Sequence, residues 1–284
     1  MCRLFGFKSI IKSKVHSSLV HAENALGIQS VDHPDGWGVC YFIGNSPHII
    51  KADKPAIDCD IFQKVSGVVS SNTVLAHIRK STIGTVSPLN THPFQFGHWV
   101  FAHNGNIENF DSLRHQLLDY ISDSFRPYIL GSTDSELIFF IILSELEKEQ
   151  DILSDTIQYQ KIEDACHRSI EKIVNLVGKL YDDSDSPEKS FLTFLITNGD
   201  NMIGFNGGKD LFYSTYKTKC PERDTCPSFA QNCEAPTDNN KVNHLIFSSE
   251  PLSGENIWLK MGKGDLIGSN KEMKLSFSKI STER

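Results

Sequence analysis

The sequence predicts an α+β protein in which antiparallel sheets are covered by helices, on three observations. Strand-like runs come first, helical periodicity fills the middle, and strand-like runs return at the end. Gly, Pro, Asn and Asp punctuation separates the strands in place of regular crossover helices, and Asn198-Gly199 sits between two apolar runs as a hairpin turn. With 284 residues, 39% hydrophobic and 22% charged, the chain has enough apolar mass to bury a core, and it is expected to form one domain over 1–284.

The first strand alternates through Cys2, Leu4 and Phe7, and Val15, Leu19 and Ala22 then follow at helical spacing that stops at Gly27. Strands are expected at 37–43, 47–51, 73–79 and 98–103. Helical spacing returns at Phe110, Leu113, Leu117 and Ile121, and again over 134–148, where Thr133 and Glu136 stand at capping-box spacing. A third amphipathic segment carries Ile162, Cys166, Ile170, Ile173, Val177 and Leu180, and an acidic, serine-rich loop over 182–190 ends it. The 191–197 and 201–206 runs form the Asn-Gly hairpin, and shorter strands are expected at 211–215, 244–249, 257–261 and 275–278. Residues 217–241, with Pro221, Pro227 and Pro236, read as a structureless loop, and one of that length is either functional or disordered.

Composition excludes several functions. The net charge is −7, with 28 Lys+Arg against 35 Asp+Glu, so there is no basic stripe to neutralise phosphates and no nucleic-acid partner is expected. The longest apolar run, 137–143, is far short of the ~20 residues a bilayer crossing needs. Polar Lys, Ser and His interrupt the N-terminus before any secretory core, so it is read as mature. Seven cysteines, an odd number and mostly isolated, point to a reducing compartment and hence the cytoplasm. No phosphate-binding loop or dinucleotide fingerprint is present, since Gly207-Gly208 opens no helix, and no cofactor is expected.

The residues that could carry chemistry each have a plainer reading. Cys2 follows Met1, and removal of Met1 would leave a thiol and an α-amine on one residue, a nucleophile with its own base; otherwise Cys2 simply packs in the first strand. Arg79 ends an apolar strand, where a guanidinium can grip a carboxylate or merely face solvent. His92 lies in the turn Asn90-Thr91-His92-Pro93-Phe94, where a solvated His is the default. Asn104-Gly105 reads first as a hairpin turn, yet a side-chain amide beside a Gly N–H also suits an oxyanion. Asp134 complements a helix N-terminus whatever its function, and could equally receive an ammonium. His33-Pro34-Asp35-Gly36-Trp37-Gly38 reads as a turn. Cys220, Cys226, Cys233 and His244 match no paired zinc spacing, so they read as free thiols with no metal.

Taken together, Met-Cys-Arg-Leu at the start, Asp-Gly-Trp-Gly, Ala-His-Ile-Arg, Asn-Thr-His-Pro-Phe, Ala-His-Asn-Gly and Gly-Ser-Thr-Asp-Ser-Glu occur in an order that resembles the class II glutamine amidotransferases, nearest their small stand-alone branch. The motifs run from Cys2 to Glu136, and Ser-Ser-Glu-Pro-Leu over 248–252 is similar to the branch's second half. The resemblance implies a four-layer αββα N-terminal nucleophile hydrolase fold, with Cys2 attacking a glutamine side-chain amide through a γ-glutamyl thioester. It implies Asn104 and the Gly105 N–H as oxyanion donors, Arg79 for the substrate carboxylate, Asp134 for its ammonium, and Thr82 and His92 near the substrate. Lys80 stands where the glucosamine-6-phosphate synthase branch has Trp, so the pocket wall differs. The expected activity is hydrolysis of glutamine or a γ-glutamyl compound. The alternatives are a glutaminase subunit delivering ammonia to a separate synthase, and a glutamine-binding sensor without turnover; the partner expected, if any, is a separate synthase or peptidase subunit.

Overall fold

A computed structural model describes residues 2–15, 17–182 and 188–284. Met1, and residues 183–187 of the expected acidic loop, lie outside the described residues. The strands in chain order are β1 (Arg3–Lys14), β2 (Trp37–Ile43), β3 (Ser46–Ala52), β4 (Ser70–Ile78), β5 (Phe94–Phe96), β6 (Trp99–Asn106), β7 (Phe191–Thr197), β8 (Met202–Phe205), β9 (Phe212–Ser214), β10 (His244–Ser248), β11 (Leu259–Lys260), β12 (Asp265–Ser269) and β13 (Leu275–Lys279). The helices are α1 (Leu26–Gln29), α2 (Asp60–Val68), α3 (Phe110–Asp119), α4 (Asp134–Glu147) and α5 (Tyr159–Val177).

These strands form a seven-stranded sheet A, ordered β11-β9-β10-β1-β4-β2-β3, and a six-stranded sheet B, ordered β13-β12-β8-β7-β6-β5, with every pairing antiparallel. The pleat of β1 shows how one strand serves two cores. Leu4 joins Val100, Ala102, Leu195 and Phe247 between the sheets, while Phe5 and Phe7 join Trp37, Phe62 and Val74 beneath α1 and α2. Gly6 faces the inter-sheet core, where a Cβ would lie 2.9 Å from Leu195 Cδ1. On the far side of sheet B, Phe101, Phe194 and Phe205 pack with apolar residues of α3, α4 and α5. The architecture is therefore helix, sheet, sheet, helix, the expected α+β sandwich.

Several elements differ from the sequence reading. Strand β1 runs on to Lys14, because after a register shift it pairs again with β4 at Ser13 and Lys14. The expected helix is present in two short pieces, a helical turn at Ser17–His21 and α1, with Val15 and Leu19 buried against sheet A. Helix α2 and strand β12 carried no clear signal: α2 buries only Phe62 and Ser66, and β12 is short and nearly all buried, without alternation. Asn104-Gly105 makes no turn and lies inside β6, whereas Asn198-Gly199 does join β7 to β8. Within 217–241 the regular structure is one short turn, Gln231–Cys233.

Helix α4 is buried on all sides from Asp134 to Leu146, so its charged residues must be partnered. At its N-terminus Thr133 Oγ1 accepts from the Glu136 N–H at 3.3 Å, while the Glu136 carboxylate turns outward to accept from the Leu130 and Gly131 N–H groups. At its other end Glu145 is buried against Lys148 at 2.6 Å, Arg168 at 3.1 Å and Lys172, tying α4 to α5. Burial alone would raise the Glu145 pKa, but Lys148 and Lys172 hold it down at about 2. A folded pKa below the unfolded one means stability that is present above the ordinary Glu range and lost as pH falls toward 2. Glu145→Gln is therefore expected to destabilise the protein at pH 7 by roughly 1.5–3 kcal/mol and to flatten the acid limb of its stability curve, measured by denaturant unfolding between pH 2 and 7. An unchanged acid limb would contradict the role of this network.

Candidate active site

The ladder of β1 on β4 sets Arg3 opposite Ile78, so Cys2 comes to rest beside the chain just after β4. Its Sγ lies 3.4 Å from both the N and the O of Lys80. Burial pushes the thiol pKa up, so at neutral pH the protonated form prevails and a base is needed to make it nucleophilic.

The turn at 33–38 proves to be the brace for Arg79. The Arg79 N–H donates to Gly36 O at 2.8 Å and the Asp35 N–H donates to Arg79 O at 3.1 Å, while Asp35 Oδ2 accepts from the Ser81 N–H at 2.8 Å. Gly36 has φ of +134°, and a Cβ there would stand 2.9 Å from Ala52 O. A Cβ on Gly38 would stand 2.1 Å from His92 O. The sequence reading missed this supporting role, whose signal was two glycines and an aspartate beside a strand. The Arg79 side chain is buried and donates to Ser81 Oγ at 3.0 Å, Ile83 O at 3.1 Å and Thr85 O at 3.1 Å. It thus holds the 81–85 loop closed over the site.

From sheet B, β6 brings His103, Asn104 and Gly105 to the same place. Gly105 pairs with Leu192, and a Cβ would stand 2.1 Å from Phe191 O and 2.6 Å from His103 Nε2, so no larger residue fits without moving β7. Asn104 is buried, and its Oδ1 has no hydrogen-bond partner among the described residues. Asp134, in the first turn of α4, accepts from the Ile107 N–H at 2.7 Å through Oδ2 and from the Ser135 N–H at 2.7 Å through Oδ1. Burial pushes its carboxyl pKa up, opposed by His103 and by these hydrogen bonds. Ser135 Oγ links Asp134 Oδ1 at 3.2 Å to His103 Nδ1 at 2.9 Å.

His92 is not a solvated loop residue. It is buried, its ring 4.2 Å from that of His77, and both ring nitrogens lack a partner among the described residues. Burial keeps His77, His92 and His103 below the usual imidazole pKa, His77 at about 3, so all three are neutral at physiological pH. His77, His103 and Ser135 form a supporting layer that sequence reasoning did not single out, although His77 and His103 stood within the motifs it quoted.

One small cleft gathers Cys2, Arg79, Thr82, His92, Gly105 and Asp134, together with Lys80, Ser81, Ile83, His103, Thr133 and Ser135. Asn104 is adjacent on β6. The cleft volume is about 20 Å³, room for about one water, so the site has to widen to admit a substrate. Among the described residues no three or more His, Cys, Asp or Glu are grouped to hold a metal ion, and Cys220, Cys226, Cys233 and His244 lie in a different part of the fold.

A sequence profile of the class II glutamine amidotransferases matches residues 1–282. The chain belongs to that family. It is 30% identical over 226 residues to a Saccharomyces cerevisiae protein described as probable glutamine amidotransferase DUG3, covering 72% of this chain and 62% of that one. It is 25% identical to YafJ of Escherichia coli K12, over 93% of this chain and 96% of that one. A γ-glutamyl-hercynylcysteine sulfoxide hydrolase from Mycobacterium tuberculosis is 30% identical over 118 residues, 38% of this chain and 50% of that one. Among solved structures, a class II domain protein of Silicibacter pomeroyi has a TM-score of 0.64 at 19% identity, covering 99% of this chain and all of that one. The glutamine phosphoribosylpyrophosphate amidotransferase of Bacillus subtilis has a TM-score of 0.60 at 16% identity, covering 99% of this chain and 50% of that one. The chain thus shares its overall fold with these two amidotransferase structures.

The geometry at Gly105 gives a test that does not depend on activity. Gly105→Ala is expected to push β7 away at Phe191 and to lower stability by roughly 1–3 kcal/mol, read by denaturant unfolding. Wild-type stability would mean that this close approach of β6 to β7 does not constrain the site.

Proposed function

We propose that the protein is an N-terminal-cysteine amidohydrolase that cleaves the side-chain amide of glutamine or, preferentially, of a larger γ-glutamyl compound. The observation that carries this reading is the meeting of Cys2, Arg79, Gly105 and Asp134 in one cleft, contributed by four separate segments of the chain. The kinship with a γ-glutamyl hydrolase supports the substrate class.

In this mechanism Met1 is removed, and the freed α-amine of Cys2 takes the thiol proton. Sulfur attacks the γ-carbonyl carbon, and the oxyanion is held by the Asn104 amide and the Gly105 N–H. As the tetrahedral adduct collapses, the C–N bond breaks, the α-ammonium returns its proton to the departing amine, and a γ-glutamyl thioester remains. The α-amine then deprotonates water, which displaces sulfur and releases a glutamate γ-carboxylate. Arg79 exchanges its bonds to Ile83 O and Thr85 O for the substrate α-carboxylate, which couples binding to opening of the 81–85 loop. Asp134 receives the substrate ammonium, and Thr82 and His92 shape the wall. All seven cysteines are free, which supports a reducing, cytoplasmic setting, and no helix among the described residues is long and apolar enough to cross a membrane.

Cys2→Ala is expected to abolish amide hydrolysis while leaving the circular dichroism spectrum unchanged; turnover at the wild-type rate would end the proposal. Arg79→Ala and Asp134→Ala should chiefly raise KM, each losing about 2–5 kcal/mol of binding, whereas Asn104→Ala should lower kcat roughly 10²–10³-fold. Steady-state kinetics separate the two classes, and an unchanged KM in both charge variants would refute their assignment.

A second reading, a glutaminase subunit serving a separate synthase or peptidase partner, is supported by membership of the glutamine amidotransferases, whose name denotes passing the amide nitrogen to an acceptor. Comparing kcat/KM for glutamine and a panel of γ-glutamyl peptides, with and without proteins recovered by affinity purification, distinguishes the two. Higher kcat/KM on a peptide without a partner supports hydrolysis for its own sake, and activity only with a recovered partner supports the subunit.

A further inference from the structure

A second cavity lies on the outer face of sheet A, between the later part of β1, strand β10, the 217–241 loop and the 253–256 turn. Its volume is about 420 Å³, within the ~300–1,000 Å³ range of small-molecule sites, and none of its lining residues belongs to the Cys2 cleft. Its apolar lining includes Phe7, Val15 and Ile246, which belong to the core under sheet A, together with Ile10, Ile11 and Pro221.

Three polar features of the lining lack partners among the described residues. His244 is 8% exposed, and its Nε2 has no hydrogen-bond partner among the described residues. Burial and the neighbouring Lys217 ammonium push this imidazole down to about 4, so it is neutral at physiological pH and can offer an N–H. Lys217 is half-buried in the same lining and makes no ion pair among the described residues. Both residues line the same cavity. Asn256 Oδ1, also in the lining, is buried and unpaired, while Glu222 and Glu255 are exposed there. Buried polar atoms without a partner are exceptional, and those of His244 and Asn256 belong to residues that border the cavity, where a ligand reaches them once the side chains turn toward it.

We propose that this cavity binds a carboxylate-bearing small molecule of amino-acid or dipeptide size. Its carboxylate sits between Lys217 and the His244 N–H, its apolar part lies on Phe7, Val15 and Ile246, an N–H reaches Asn256 Oδ1, and its ammonium faces Glu222 and Glu255. Such a site is separate from the amide-cleaving cleft and does not depend on the activity assigned there.

Cys220 and Cys226, free and half-buried in the same lining, provide a local reporter. The probe is an equimolar pool of free dipeptides, and its control is the same pool N-acetylated and C-amidated. Iodoacetamide labelling of each cysteine is followed by peptide mass spectrometry. The free pool is expected to slow labelling of Cys220 and Cys226 at least threefold, and the capped pool to have little effect. Lys217→Glu should abolish the protection, and His244→Phe should raise the protecting concentration at least tenfold. Because His244 is buried and its variant is at risk of misfolding, the half-exposed Lys217 carries the decision. No protection by the free pool, equal protection by the capped pool, or full protection in Lys217→Glu would each overturn the proposal, whatever the fate of the Cys2 mechanism.

Discussion

The register of β1 on β4 is the constraint on which the rest of the structure depends. Pairing Arg3 with Ile78 seats Cys2 against Lys80 and next to Arg79, and the same ladder sends Leu4 inward and Phe5 outward. A slip of one residue would reverse both faces and carry Cys2 away from the cleft. The neighbouring pairs lock the register from both sides: β2 pairs Trp37 with the same Ile78, and β10 pairs Ser248 with Phe5. Core packing and site geometry are thus one requirement.

Around Cys2 the chain collects buried polar groups and pairs most of them internally. Arg79 is satisfied by the 81–85 loop and Asp134 by backbone N–H groups, so both charges are held in place and already paired. Three buried histidines, all held below the usual imidazole pKa, pack beside them, and His103 is coupled to Asp134. The thiol is held protonated by the same burial. In the proposed reaction a substrate carboxylate would replace the loop carbonyls that Arg79 now holds and so favour opening of the loop.

The sandwich was legible in the sequence because its long elements carry strong periodic signals: β4, β6, β7 and α3 to α5 are each present near the expected positions. The errors have physical causes. Val15 and Leu19 have helical spacing but the chain over sheet A forms only two short helical pieces, and Asn104-Gly105 carries hairpin chemistry yet is held extended by β7. At the site, ordered motifs brought out residues whose individual signals were weak. What sequence could not show was the supporting layer, because the contacts of Asp35, His103 and Ser135 join residues between 32 and 46 positions apart. The second cavity was equally hidden, since His244 and Lys217, which both line it, lie at opposite ends of the long loop.

The central claim is that Cys2 is a processed N-terminal nucleophile reached by a glutamine-like substrate. Mass spectrometry of the purified protein treated with an alkylating glutamine analogue tests this most directly. The account predicts a chain lacking Met1 with a single adduct on Cys2; a retained Met1, or an adduct on any other cysteine, would contradict it.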